Sequence, residues 1–242
     1  MKLLSKRYYI IALVISALLL ILLMIYLQKN TTVEKYENDS DMEKVFTDVY
    51  EKDVWGGGNI SSDYLGNSGE GSEVNVNKDT YYPFLKKFII DNNVKTVADL
   101  GCGDFRGGRL IYDDIDIKYT GYDTYAKLVE SHSKTFEKPK YNFVHLNLYE
   151  NKEEIKSADL CIIKDVVQHW KLEKIYKFLD YLVESKKFKY ILIINCSHQD
   201  NDDTDIPDGG FRPLSIEFLP LKKYNPKKLY NYSTKEVSVI EC

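Results

Sequence analysis

The chain of 242 residues reads as an α/β fold with a mostly parallel sheet and helices on both faces, and three observations predict it. Short apolar runs such as 94–100 and 190–194 lack the polar alternation of a strand with one wet face, so both of their faces are buried. Amphipathic stretches of helical period separate these runs. From residue 80 onward the two patterns alternate, as parallel strands joined by crossover helices require. Composition agrees: 44% hydrophobic and 29% charged residues exclude collagen-like and wholly disordered chains.

The first element is an N-terminal apolar run. Residues 8–27 are apolar except for Ser16 and three tyrosine hydroxyls, a length that crosses a hydrocarbon core about 30 Å thick. Lys2, Lys6 and Arg7 precede it, Lys29 follows, and no small-residue cleavage site ends it. The expectation is an uncleaved single transmembrane helix within residues 1–29. The positive flank puts the N-terminus in the cytosol and the remaining chain on the opposite side. Residues 30–49 read as a polar stem and 50–242 as one domain. Sequons at Asn30, Asn38, Asn59, Asn195 and Asn231 give weak support to a lumenal placement, and Asn195 ends an apolar strand, a poor place for a glycan.

Beyond residue 29 the chain holds 29 basic against 37 acidic residues, so no nucleic-acid partner is expected. Cys102, Cys161, Cys196 and Cys242 form no C-x-x-C pair, which excludes a zinc ribbon and a disulfide framework. Residues 53–79 are rich in Gly, Ser and Asn and read as loops. Helices are predicted at 80–92, 125–136 and 171–185. Strands are predicted at 94–100, ending at Tyr122, at 141–148, 160–163 and 190–194, with a last one at 236–240.

Ligands of such sheets bind at the carboxyl ends of the strands, so the chemistry should follow strands one to four. The first strand turns through Asp99-Leu100-Gly101-Cys102-Gly103-Asp104, where glycines let a ligand approach the backbone. Asp123 ends the second strand, where an acid can take both hydroxyls of a ribose. A pyrophosphate prefers helix N–H groups without carboxylates beside them, whereas Asp99 and Asp104 flank these glycines. Negative charge there suits a cationic ligand.

These residues resemble the class I S-adenosylmethionine (SAM)-dependent methyltransferases over roughly residues 50–242. The resemblance implies a Rossmann-like sandwich with SAM as cofactor. It assigns Asp99, Gly101, Cys102 and Gly103 to the methionine part of SAM and Asp123 to the ribose. Asn147 stands where the family often has an acid facing the adenine amine; its carbonyl can accept from that amine. In Lys164-Asp165-Val166-Val167-Gln168-His169-Trp170 the family pattern makes Asp165 and His169 candidate bases for the attacking group. The alternative is a helix cap at Asp165 and a packed histidine.

Two outer segments narrow the resemblance to a bacterial and large-virus subgroup with W-G-x-G, S-G-x-G-S and G-G-[FW]-R-P-L segments. These are Trp55-Gly56-Gly57-Gly58, Ser68-Gly69-Glu70-Gly71-Ser72 and Gly209-Gly210-Phe211-Arg212-Pro213-Leu214. Ser68 and Ser72 could close over SAM, or form a structural turn. Arg212 could pair with a substrate anion, or lock its own loop. Trp55 reads as packing. His198 is a secondary substrate-binding candidate beside the acidic stretch 199–208, which lacks EF-hand spacing and is taken as a solvated loop, with no metal expected. The expected activity is methyl transfer to a hydroxyl, with a glycan as a loosely implied acceptor, since some related domains are linked to glycan modification. Competing readings are a nicotinamide-dependent oxidoreductase and a catalytically inactive binding module on the same fold.

Overall fold

The computed structural model describes residues 16, 18–24, 41–56, 68–136, 138–197 and 204–242. The chain divides after Asp41 into two units, each considered by itself. In the first, residues 18–24 are helical and their large apolar side chains are exposed. Among the described residues no helix is long and apolar enough to cross a membrane. The expected span 8–27 lies largely outside the described residues, as do Asn30, Asn38, Asn59, Gly57, Gly58, His198 and residues 199–203 of the acidic stretch.

The second unit, Met42–Cys242, carries the sheet. Its strands are β1 Thr96–Leu100, β2 Lys118–Asp123, β3 Tyr141–His145, β4 Ala158–Lys164, β5 Phe188–Cys196, β6 Lys227–Tyr232 and β7 Lys235–Glu241. Their order is β3-β2-β1-β4-β5-β7-β6. Neighbours from β3 to β5 run parallel, and β7 is antiparallel to both β5 and β6. The period-2 alternation of strand side chains feeds two cores. In β4, Cys161 and Ile163 face one core, and Leu160 and Ile162 the other.

Helices cover both faces. In chain order they are α1 Met42–Glu51, α2 Val74–Asn77, α3 Tyr81–Asp91, α4 Gly108–Tyr112, α5 Ala126–Thr135 and α6 Leu172–Glu184. The stripe Ile175, Phe178, Leu179 and Leu182 of α6 is fully buried against the first core. Burial of each such side chain contributes roughly 1.5–3 kcal/mol. Tyr81, Leu85 and Ile89 of α3 fill the second core.

Three expectations change. The boundary at residue 50 moves to Met42: α1 buries Met42 and Phe46 in the first core, so residues 42–49 belong to the domain and not to a stem. The third strand ends at His145: Leu146 N–H still reaches the Asp123 carbonyl at 2.9 Å, and residues 148–151 then turn. Strand β6 is additional to the predicted set. It is an edge strand with exposed Lys227 and Lys228, and its sequence lacks the apolar run that marks the central strands.

Candidate active site

The carboxyl ends of β1, β2 and β4 open into a cavity of about 510 Å³. Sites for small molecules span roughly 300–1,000 Å³. The cavity is lined by Ser68, Ser72, Asp99, Gly101, Cys102, Gly103, Asp123, Asn147, Asp165 and His169, so these candidates from distant parts of the chain share one space.

The turn after β1 is shaped by its neighbours. Gly101 has φ +80°, and a Cβ there would meet Val166 Cγ2 at 2.4 Å. Gly103 has φ +55°, and its Cβ would meet Ser68 Oγ at 2.5 Å. Only glycine accepts both the backbone and the contact. Gly101 and Cys102 donate their N–H groups to the Tyr122 carbonyl at 2.8 and 3.0 Å. Below the turn, the His132 ring donates from Nε2 to the Gly103 carbonyl at 2.7 Å.

Asp99 accepts a hydrogen bond from Tyr119 Oη at 2.8 Å. Burial pushes its carboxyl up to about 6, against the opposing pull of Tyr119 and Lys164. Asp123 accepts from Gly103 N–H at 3.0 Å and Tyr125 N–H at 3.1 Å, and burial raises its carboxyl too.

Ser68 and Ser72 brace the turn. Ser68 Oγ accepts from Asp104 N–H at 2.9 Å and shares a hydrogen bond with Tyr50 Oη at 3.1 Å. Asp104 accepts from Ser68 N–H at 3.2 Å and Ser72 Oγ at 2.8 Å, and pairs with Arg106 at 3.3 Å. The serine loop is thus clasped to the glycine turn by Asp104, which the sequence marks only as a charge flanking the glycines.

His169 is held as a neutral base. Its Nδ1 lies 2.6 Å from the Gly210 carbonyl. A carbonyl only accepts, so Nδ1 carries the proton and Nε2 is the acceptor nitrogen. Gln168 Nε2 donates to that nitrogen at 3.3 Å, while Gln168 Oε1 accepts from Cys196 N–H at 2.9 Å. Burial pushes the imidazole below its usual value, opposed by the Gly210 hydrogen bond. Trp55 and Phe211 flank the ring, at centroid distances of 5.3 and 5.8 Å.

Three candidate roles are revised. Asp165 is paired with two lysines, which makes it a weak base. Burial would raise its carboxyl, but Lys164 and Lys235 outweigh burial and hold it below the usual range, with an ammonium on each oxygen. Asn147 Oδ1 accepts from the N–H groups of Tyr149 and Glu150, both at 3.2 Å. Its two lone pairs are occupied, so it is not the expected acceptor for an adenine amine. Arg212 is buried and does not line the cavity. It donates to the Trp170 carbonyl at 2.6 Å and to Asp205 at 3.0 Å, locking its own loop. Asp205 and Asp208 accept from the N–H groups of Leu172 and Lys171 at the start of α6. Asn195, of the fourth sequon, is buried.

Tyr50, Thr124, Lys164 and Lys235 also line the cavity and are not among the sequence candidates. Tyr50 lies in the expected boundary region, and Lys235 is brought in only by strand pairing. Thr124 Oγ1 and Trp170 Nε1, both of cavity-lining residues, are buried without a hydrogen-bond partner among the described residues. A buried polar atom left unpaired is costly unless a ligand or water completes it. Together with the glycine cradle, they fit a ligand rich in polar atoms.

No family model matches the chain, and no curated protein matches it. Solved structures do. The methyltransferase domain of bacterial CtHen1 is 16% identical with a TM-score of 0.53, over 70% of this chain and 100% of that one. The N-methyltransferase NodS from Bradyrhizobium japonicum WM9, in complex with S-adenosyl-L-homocysteine (SAH), is 9% identical with a TM-score of 0.51, over 68% and 86%. DhpI in complex with SAH is 12% identical with a TM-score of 0.51, over 69% and 86%. At such identities the likeness is one of fold, and it establishes the Rossmann-like methyltransferase sandwich.

Proposed function

We propose that the chain is a SAM-dependent methyltransferase acting on a hydroxyl group. The observation that carries this reading is the convergence of Asp99, the Gly101–Gly103 turn, Asp123 and the neutral His169 on one cavity. The sheet order supports it. Classic dinucleotide-binding sheets run 3-2-1-4-5-6. Here an antiparallel β7 is inserted between β5 and β6, a departure from that order. The carboxylates clustered at the first turn also disfavour a pyrophosphate.

Asp99 would take the ammonium of the cofactor's amino acid and Asp123 the ribose hydroxyls, with Thr124 and Trp170 offering further polar contacts. Bound there, SAM would supply an electrophilic methyl group. Once the acceptor hydroxyl replaces the Gln168 amide at Nε2, His169 would accept its proton there, while the Gly210 carbonyl holds Nδ1–H and so fixes the tautomer. Trp55 and Phe211 orient the ring and present apolar faces, which suits a ring-shaped acceptor such as a sugar. The resemblance to the subgroup with relatives in glycan modification points the same way. We also propose that residues 8–27 anchor the enzyme in a membrane, from the unbroken length of the apolar run.

Transfer of a labelled methyl group from SAM to a panel of hydroxyl-bearing acceptors, glycans first, tests the reading. Incorporation lost in His169→Ala with SAH affinity retained supports it; incorporation unchanged in that variant would remove His169 from the chemistry.

A further inference from the structure

The cavity wall at the ends of β4 and β7 carries two ammonium groups that the proposed transfer does not use. Lys164 Nζ donates to Asp165 Oδ2 at 2.8 Å and to the Gly71 carbonyl at 2.7 Å. Lys235 Nζ donates to Asp165 Oδ1 and lies 3.0 Å from Cys196 Sγ. Both lysines line the cavity, with side chains only 17% and 8% exposed. A lysine stem readily carries its charge out to water, and burying it costs desolvation. Here two such charges are drawn inward against one carboxylate.

The neighbouring charges sharpen the point. Asp99, on the strand beside β4, couples electrostatically to Lys164. His169 couples to Lys235. Asp165 faces both lysines and Asp99 couples to Lys164. A ligand ammonium that engages Asp99 weakens that offset to the lysine charge, in a place where unpaired charge is expensive. An ammonium has three N–H donors. Two on each lysine have partners among the described residues, and the third remains for a ligand.

We propose that Lys164 and Lys235, spaced by Asp165, form an anion subsite in the cavity wall for a carboxylate or phosphate group. Two sources fit this chemistry. One is the carboxylate of the cofactor's amino acid, bonded to the same carbon as the ammonium on Asp99; this source rests on the methyltransferase reading. The other is an acidic group of the acceptor, held beside His169.

Calorimetric titration of the full chain in detergent micelles separates these sources. The probes are SAH, its decarboxylated analogue S-adenosyl-3-thiopropylamine, and inorganic phosphate added to SAH-loaded protein. If the cofactor's carboxylate is held, Lys164→Met and Lys235→Met each weaken SAH roughly tenfold or more and leave the analogue unchanged. If an acceptor's acid is held, SAH affinity is unchanged, and both variants lose the phosphate binding that the SAH-loaded wild type shows. Asp165→Asn removes the competing carboxylate and tightens whichever anion is held, a gain that a merely structural ion-pair cluster would not give. Lys235→Arg keeps the charge and most of the affinity, which separates loss of charge from loss of fold. The subsite is overturned if folded Lys→Met variants bind SAH and phosphate as the wild type does, or if Asp165→Asn weakens both. A wild type that binds neither SAH nor the analogue overturns the cofactor reading instead; phosphate binding to the ligand-free chain, lost in both Lys→Met variants, then decides the subsite alone.

Discussion

Asp99 shows how one buried carboxyl ties ligand binding to pH. Its ordinary value is about 3.9, and burial raises it to about 6 in the fold. A raised carboxyl favours the folded state while protonated, so the ligand-free domain loses stability as pH rises from about 4 through 6. A cationic ligand group needs the ionised form. SAH affinity should therefore weaken up to about tenfold per unit below pH 6 and be flat above 7, as titrations between pH 5 and 8 would show. His169 shifts in the opposite sense, burial lowering its value. As a base it should give turnover that falls with acid only below about 6.5 and a loss of roughly 10²–10⁴ in kcat for His169→Ala. A bell with its acid limb above pH 7 would contradict that role. These side chains were legible in the sequence because each sits in a short motif at a strand end. Lys235 was not, since only the pairing of Cys196 with Lys235 across β5 and β7 brings it near Asp165.

At the scale of elements, the turn after β1 depends on the close approach of Val166. Gly101→Ala would place a Cβ 2.4 Å from Val166 Cγ2 in a left-handed backbone. We expect a loss of about 1–3 kcal/mol in denaturant unfolding, partly relieved by adding Val166→Ala. No relief would mean that the backbone, and not the contact, sets the cost. The loop after β5 makes a different prediction. Arg212 ties Trp170 to Asp205 at the start of α6. Arg212→Met should lower stability by about 1–3 kcal/mol and leave acceptor KM nearly unchanged; a selective rise in KM would restore a substrate role. The sequence leaves Arg212 open between those roles because its partners lie in loops whose path no periodicity reveals. Helix α1 escapes a local reading for a related reason. Its buried stripe of Met42, Phe46 and Val49 sits among charged residues, and taken locally it resembles a solvated stem.

For the whole molecule, alternation of apolar strands with amphipathic helices was enough to anticipate the parallel sheet, and the D-L-G-C-G-D turn lies at the cavity its strand ends open into. The edge strand β6 and the covering helix α1 were not, because their partners rather than their composition define them. With residues 8–27 as an anchor, the full chain should stay with membranes after alkaline carbonate extraction, and its release would remove the anchor from the account. The central claim is that the cavity at the strand ends is built for SAM. Calorimetric titration of the full chain with SAH, with NAD and the Asp99→Ala variant as controls, tests it most directly. The account predicts micromolar SAH binding, lost in the variant, and no binding of NAD. A folded chain that binds NAD, or that binds SAH equally well without Asp99, would contradict it.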